Sequence, residues 1–124
     1  MSNGADAEFF ARLAELNGKF AASLPQTLGR LSEARHAFDV AQPQEALIAQ
    51  LQAVLHTLAG SSATFGFRSL GLQARTLEQR LRVLATFDSV SPTEWRAWLA
   101  ELDAFVAWGL RDPKGAYPDD ESAI

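Results

Sequence analysis

Apolar side chains recur at helical spacing along most of this chain. In the N-terminal third they form one stripe with a step near 3.5 residues, the period of a single helix face: Phe9, Phe10, Leu13, Leu16, Phe20, Leu24, Leu28, Leu31 and Phe38. Pro25 interrupts this stripe, and Ser23 followed by Gln26 matches a capping box around it. We therefore predict a short first helix that ends near Ala22 and a second helix from Leu24 to Phe38. One kinked helix over the whole segment is the alternative, because proline removes a backbone hydrogen bond.

Three further amphipathic helices are predicted between residues 43 and 110. Pro43 suits the first turn of one of them, which ends near Phe65, where Gly66 can adopt the left-handed stop. Ser91-Pro92-Thr93-Glu94 is a capping signal for the last helix. The apolar stripes of the three helices are Leu47, Leu51, Val54 and Leu58; Leu70, Ala74, Leu77, Leu81 and Leu84; and Trp95, Leu99, Leu102 and Val106. The pattern predicts an all-α antiparallel up-down four-helix bundle over residues 1–110, with a short extra N-terminal helix, and a disordered tail over 111–124.

Composition supports one helical domain and excludes several classes of protein. The chain has 124 residues, and Ala and Leu together outnumber Val, Ile and Thr about threefold. Its net charge of −4 disfavours nucleic-acid binding, and the absence of cysteine excludes disulfides and thiolate chemistry. No signal peptide or membrane-spanning stretch is visible, so we expect a cytoplasmic protein without a membrane partner. The starting Met and the acidic tail favour a complete small protein over a fragment of a larger kinase.

The sequence offers little for self-contained catalysis. It has two histidines but no cluster of His and Glu at metal-ligand spacing, no glycine-rich phosphate loop and no evident triad. We expect His36 to be an ordinary helix residue. The three tryptophans of the last helix do not share one stripe, so Trp95 is expected in the core and Trp98 or Trp108 partly exposed.

His56 is predicted to point away from the core. It follows the core residue Val54 by two positions, which places it about 200° round the helix at about 100° per residue. Its neighbours on that face are mostly small: Gln52, Ala53, Ala59, Gly60 and Ala63. Solvated helix faces are normally charged, and glycine within a helix costs about 1 kcal/mol relative to alanine, so this ring predicts clearance for a partner's surface. The alternative is that the small residues pack against another helix and bury His56.

A polar stripe on the following helix provides a second clue. Arg75, Glu78 and Arg82 are spaced by three and four residues, within a segment of four arginines and one glutamate. If the two helices are antiparallel neighbours, Glu78 can accept the Nδ1–H of His56 and leave Nε2 nucleophilic. Arg75 and Arg82 would then favour a phosphoryl group on that nitrogen and attract an acidic partner. An ordinary solvated face of Arg and Glu is the alternative.

The segment around this histidine resembles the histidine phosphotransfer (HPt) domain. The residues that carry the resemblance are His56-Thr-Leu-Ala-Gly60-Ser-Ser-Ala-Thr-Phe-Gly66-Phe67, followed by Leu70 and then by Leu77-Glu78. The shared Thr-Phe-Gly-Phe run is similar in particular to the phosphotransfer domain of chemotaxis-type histidine kinases. The two central helices match tightly, and the four-helix plan extends the resemblance to roughly residues 8–110.

The resemblance implies a phosphorelay intermediate in two-component signalling. His56 would carry a phosphoryl group on Nε2 and exchange it with a receiver-domain aspartate, Gly60 would give access, and Glu78 would hold the imidazole. The implied partners are the receiver domain of a response regulator and a histidine kinase or hybrid kinase. Mg²⁺ is expected in the partner receiver, so the chain is expected to be a monomeric phosphocarrier with no cofactor, metal or ATP site, and not an enzyme.

One position departs from the family pattern. The family usually has lysine three residues after the histidine, where this chain has Ala59. Either Arg75 or Arg82 substitutes for that charge or phosphotransfer is weakened. We favour an active domain, because the phosphoacceptor, the access glycine and the orienting glutamate are all present. The alternative function is a non-phosphorylated helical bundle that binds or sequesters a receiver or another helical partner.

Overall fold

The computed structural model describes residues 3–117 and contains four α-helices in that part of the chain. Their bounds are α1 Asn3–Ala37, α2 Glu45–Thr64, α3 Arg68–Ala85 and α4 Pro92–Arg111. The last three begin and end close to the positions that the apolar stripes and the capping signals predict, but Pro43 precedes the N-cap Gln44 and does not lie in the first turn of α2. The all-α prediction is confirmed.

The four helices form an up-down bundle. Helix α1 packs against α2 and α4, and α3 packs against the same two helices. Helices α1 and α4 are antiparallel, because the rings of Phe38 and Trp95 lie 4.9 Å apart near one end, while Leu28 contacts Gly109 nearer the other. All four helices contribute fully buried side chains to one core: Leu28, Leu31, Leu51, Leu55, Leu70, Leu81, Leu99, Leu102 and Phe105.

Helix α1 is continuous, with Pro25 as an interior residue. The structure therefore has the single-helix alternative, and the segment predicted as a short extra helix is the N-terminal part of α1. The capping box predicted around Pro25 does not form, since the Ser23 hydroxyl donates instead to the Phe20 carbonyl at 2.7 Å. Pro25 is exposed, whereas Leu24 and Leu28 beside it are buried. The packing of these two leucines compensates for the backbone hydrogen bond that proline cannot make, and the helix continues through Pro25.

The end of α2 and the start of α4 have the terminating glycine and the capping box that the sequence predicts. Gly66 has a φ of 83°, and the Phe67 N–H donates to the Ser62 carbonyl at 2.8 Å, the pattern of a glycine-terminated helix. At the start of α4 the Glu94 N–H donates to the Ser91 hydroxyl at 3.2 Å, and the Ser91 N–H donates to the Glu94 carboxylate at 3.3 Å. This reciprocal pair is the predicted capping box, and it is confirmed.

All three tryptophans of α4 are buried, so the prediction that Trp98 or Trp108 is partly exposed was wrong. Helix α4 contacts both α1 and α3, and its buried face is therefore wider than the single stripe on which the prediction was based. The indole N–H of Trp98 donates to the Leu77 carbonyl at 3.1 Å. This hydrogen bond fixes α4 against α3 within the core.

The residues after α4 lie against the bundle as far as the structure describes them. The Tyr117 and Trp108 rings are 5.0 Å apart, and the Lys114 ammonium lies 5.2 Å from the centre of the Phe67 ring. Residues 118–124 of the predicted disordered tail lie outside the described residues. Among residues 3–117, no helix has both the length and the apolar character needed to cross a bilayer. The cytoplasmic location stays a prediction.

Candidate functional site

His56 stands on the outer surface of α2. Its side chain is 71% exposed, in the outward direction indicated by its spacing from Val54, which is half-buried at the edge of the core. Leu51, Leu55 and Leu58, which share the inner face of the same helix, are buried in the core. The core packing of α2 therefore fixes the direction in which the imidazole projects.

Glu78 of α3 holds one side of this ring. The Glu78 side chain is only 7% exposed, and its Oε2 and Oε1 atoms lie 3.0 and 3.3 Å from Nδ1 of His56. The two helices approach closely because Gly71 has no side chain facing α2. A Cβ atom at Gly71 would lie 3.2 Å from the Ala59 carbonyl oxygen. The small residue on α3 thus allows the approach that brings carboxylate and imidazole within hydrogen-bond reach.

This contact defines the tautomer of His56. An ionised carboxylate can only accept hydrogen bonds, so Nδ1 carries the proton and donates to Glu78. In the neutral imidazole the other nitrogen, Nε2, then has a lone pair. The site therefore presents an oriented nucleophilic nitrogen on the exposed part of the ring.

Arg75 and Arg82, the two arginines predicted to stabilise a phosphoryl group, occupy different positions around Glu78. Arg82 Nη2 donates to Glu78 Oε2 at 2.9 Å, so the nearly buried carboxylate has both a guanidinium and an imidazole as partners. Within residues 3–117 no hydrogen bond or ion pair engages Arg75, which lines the same depression. Arg82 is thus paired with Glu78, whereas the guanidinium of Arg75 can contact a group that binds at His56.

The predicted ring of small residues is only partly present around His56. A depression of about 280 Å³ is lined by His56, Ala59, Gly60, Arg75, Glu78, Gln79 and Arg82. Gly60 is exposed, with nothing within 4 Å of where a Cβ atom would lie, so there is open space on this side of the ring. Ala53 and Ala63 are exposed on α2 outside this depression.

Ala59 and Gln52 differ from the outward positions expected for them. Ala59 is only 6% exposed, because its backbone packs against Gly71 of α3, and it forms the inner edge of the depression. Gln52 is half-buried and lines a separate depression beside Phe87. Gln79 also lines the depression and was not predicted there, although its spacing of four residues from Arg75 places it on the same helix face.

The second histidine lacks such an environment. His36 is exposed near the end of α1, and its Nδ1 lies 2.6 Å from the Ser32 carbonyl oxygen of its own helix. In the described part of the chain, no group of three or more His, Cys, Asp or Glu side chains could hold a metal ion. His56 is therefore the histidine around which the charged groups assemble.

The site therefore combines an exposed histidine with a nearly buried carboxylate that orients it on the surface of a four-helix bundle. The family model described as the Hpt domain matches residues 15–108, which is most of the chain. The chain therefore belongs to the Hpt domain family, whose members are phosphocarriers in phosphorelay and two-component signalling and interact with kinases and receiver domains. Comparison with curated proteins and with solved structures gives no significant match.

Proposed function

We propose that His56 is the phosphoacceptor of this chain and exchanges a phosphoryl group with the aspartate of a receiver domain. The observation that supports this role is the exposed imidazole with Nδ1 3.0 Å from the Glu78 carboxylate. In this orientation the lone pair of Nε2 is available to an incoming phosphoryl group. The proposed partners are a kinase or hybrid-kinase receiver and the receiver domain of a response regulator.

The phosphoryl transfer needs no base to remove a proton from Nε2, because this nitrogen carries a lone pair and no proton. The Nε2 lone pair forms the new N–P bond, the P–O bond of the receiver's aspartyl phosphate breaks, and the aspartate leaves as a carboxylate. The imidazole gains positive charge while Nδ1 keeps its proton. Glu78 stabilises this charge through the hydrogen bond that it already accepts from Nδ1. Mg²⁺ and most of the remaining charge stabilisation belong to the partner receiver.

The arginines have separate roles in this proposal. Arg82 positions Glu78, with which it forms an ion pair of 2.9 Å. Arg75 contacts the phosphoryl oxygens and provides the positive charge that the usual lysine would give at the position of Ala59. Gly60 leaves the open space through which the receiver reaches the ring.

The test is phosphorylation of the purified chain by a receiver that carries radioactive phosphate. We expect label that is lost in acid and stable in base, as for phosphohistidine. His56→Gln should abolish it, whereas His36→Gln, the matched control at the other exposed histidine, should leave it unchanged. Equal label on wild type and His56→Gln would refute the proposal. Receiver binding without label, surviving His56→Ala, would instead favour the non-phosphorylated interaction module.

A further inference from the structure

Helix α1 extends well past the bundle. It has 35 residues, whereas α2, α3 and α4 have 20, 18 and 20. Phe20 contacts Phe65 and Phe67 of the α2–α3 turn, with ring centres 5.4 and 5.0 Å apart. The residues before Phe20 form a projection about 25 Å long at about 1.5 Å per residue. We call residues 3–19 the N-terminal extension; its first twelve residues precede the matched family domain.

The N-terminal extension carries an apolar face that the bundle does not cover. Phe9, Leu13 and Leu16 are spaced by four and three residues, and Phe20 continues the same helix face into the core. Phe9 and Phe10 are 62% and 64% exposed, and Leu16 is 42% exposed. A helix of this length is marginal in water unless its apolar face packs against something. The exposed aromatic rings therefore mark an interaction surface.

The charges of the extension favour a second copy of the chain in antiparallel orientation. Its first turns carry Asp6 and Glu8. Arg12 and Glu15 lie on either side of Leu13, and the last residue of the extension, Lys19, forms an exposed ion pair of 3.4 Å with Glu15 of the same helix. Two extensions that cross antiparallel about Leu13 place the acidic turns of each copy beside Lys19 of the other. In an antiparallel pair Glu15 of each copy also lies close to Arg12 of the other, so the full set of charges keeps the same preference. A parallel pair would place Asp6 against Asp6 and Glu8 against Glu8, which is repulsive. The antiparallel arrangement also opposes the two helix dipoles.

The end of the bundle complements the acidic turns further. Lys114 lies over the Phe67 ring there, and the exposed Arg68 begins α3 at the same end. An antiparallel partner helix that continues toward residue 3 would meet these two cations. The two bundles would then lie at opposite ends of the paired helices, where they do not collide.

We propose that the N-terminal extension is a dimerisation surface that pairs antiparallel with the extension of a second copy, burying Phe9, Phe10, Leu13 and Leu16. The protein is then a dimer, in place of the monomer expected from the sequence. Leu13 faces its own counterpart, and Phe9 of one copy, which shares the helix face of Leu13 and Leu16, lies beside Leu16 of the other. This inference does not depend on the phosphotransfer proposal, since none of these residues belongs to the depression around His56.

Sedimentation equilibrium of the full chain, from low micromolar to several hundred micromolar, tests the association. We expect a concentration-dependent dimer, and Phe9→Ser with Phe10→Ser should raise its dissociation constant about 30-fold or more. The matched control is Val83→Ser with Phe87→Ser, at similarly exposed apolar positions on α3 and after it, which should leave the constant unchanged. A monomer at every concentration, or equal weakening by the control pair, would overturn the proposal.

Disulfide trapping tests the orientation, because the natural chain contains no cysteine. Under mild oxidation Leu13→Cys should give a covalent dimer, whereas Leu16→Cys alone should not, since disulfides need Cβ atoms about 3.5–4.5 Å apart. Phe9→Cys combined with Leu16→Cys should restore the covalent dimer. Equal crosslinking by both single variants would indicate a parallel pair and contradict the antiparallel proposal.

Discussion

Gly71 lies in the tight contact between α3 and α2, whereas Gly60 lies on the exposed face of α2. Alanine at these two positions should therefore have opposite effects on the free energy of unfolding. An added Cβ at Gly71 would lie 3.2 Å from both the Ala59 carbonyl oxygen and the Ser62 Cβ. Ordinary contacts between carbon atoms are about 3.5–4.0 Å, so α2 would have to move by a few tenths of an ångström. At Gly60 an added Cβ meets nothing within 4 Å.

The magnitudes follow from these two environments. Gly→Ala within a helix stabilises by about 0.5–1 kcal/mol where there is room, so Gly60→Ala should raise the free energy of unfolding by that amount. Gly71→Ala has the same helix gain, but the crowded α2–α3 contact should cost about 1–3 kcal/mol. The free energies of unfolding of the two variants should therefore differ by about 1–3 kcal/mol.

Urea unfolding followed by tryptophan fluorescence measures this difference directly, because all three tryptophans are buried in the core. Gly71→Ala should unfold at lower urea than Gly60→Ala, with similar slopes for the two transitions. Equal midpoints would show that α2 and α3 are not in tight contact at Gly71. That result would also remove the structural reason for the short distance between His56 and Glu78.

Four other substitutions test the site and the start of α4. Glu78→Gln replaces a charge-assisted hydrogen bond by a neutral one, and the loss of about 1 kcal/mol should slow phosphorylation of His56 about fivefold in an initial-rate assay. Arg82→Ala should slow the same rate, because Arg82 positions Glu78. Arg75→Ala should mainly lower the final level of phosphohistidine, because Arg75 contacts the phosphoryl oxygens. The same initial rate and the same final level for the two variants would contradict their separate roles. Ser91→Ala removes the capping box and should lower the free energy of unfolding by about 1 kcal/mol. The control Ser89→Ala, in the preceding loop, should change it by no more than about 0.5 kcal/mol, and equal losses for both would contradict the capping argument.

Periodicity and capping residues were sufficient to predict most of the bundle. Leucine spacing located α2 and α3, and Ser91 with Glu94 located the start of α4, because these signals act within one or two turns of the chain. Continuity of α1 across Pro25 was not decidable in the same way. It depends on Leu24 and Leu28, whose burial against the other helices compensates for the hydrogen bond that Pro25 cannot make.

The candidate site shows the same division between local and tertiary information. The outward direction of His56 follows from its angle to the core stripe, and the proximity of Glu78 follows from antiparallel pairing of neighbouring helices. The environment of a small side chain is harder to predict, since small residues occur both on open surfaces and where two helices pack closely. Gly60 has the first environment and Ala59 the second, and only the position of Gly71 on the facing helix distinguishes them.

The width of a buried face is also a tertiary property. A helix between two neighbours buries more of its circumference than one stripe, which is why Trp98 and Trp108 are both inside. The exposed apolar residues of the N-terminal extension show the opposite case. Their pattern is that of a core stripe, yet the other helices end before they can cover it.

The most direct test of the central claim is the nitrogen on which the phosphoryl group resides. Nitrogen-15 NMR of the phosphorylated chain, with histidine labelled in the ring, assigns the phosphoryl group to one atom of one residue. The hydrogen bond between Nδ1 and Glu78 predicts phosphorylation of His56 at Nε2, with the proton retained on Nδ1. A phosphoryl group on Nδ1 of His56, or on His36, would contradict it.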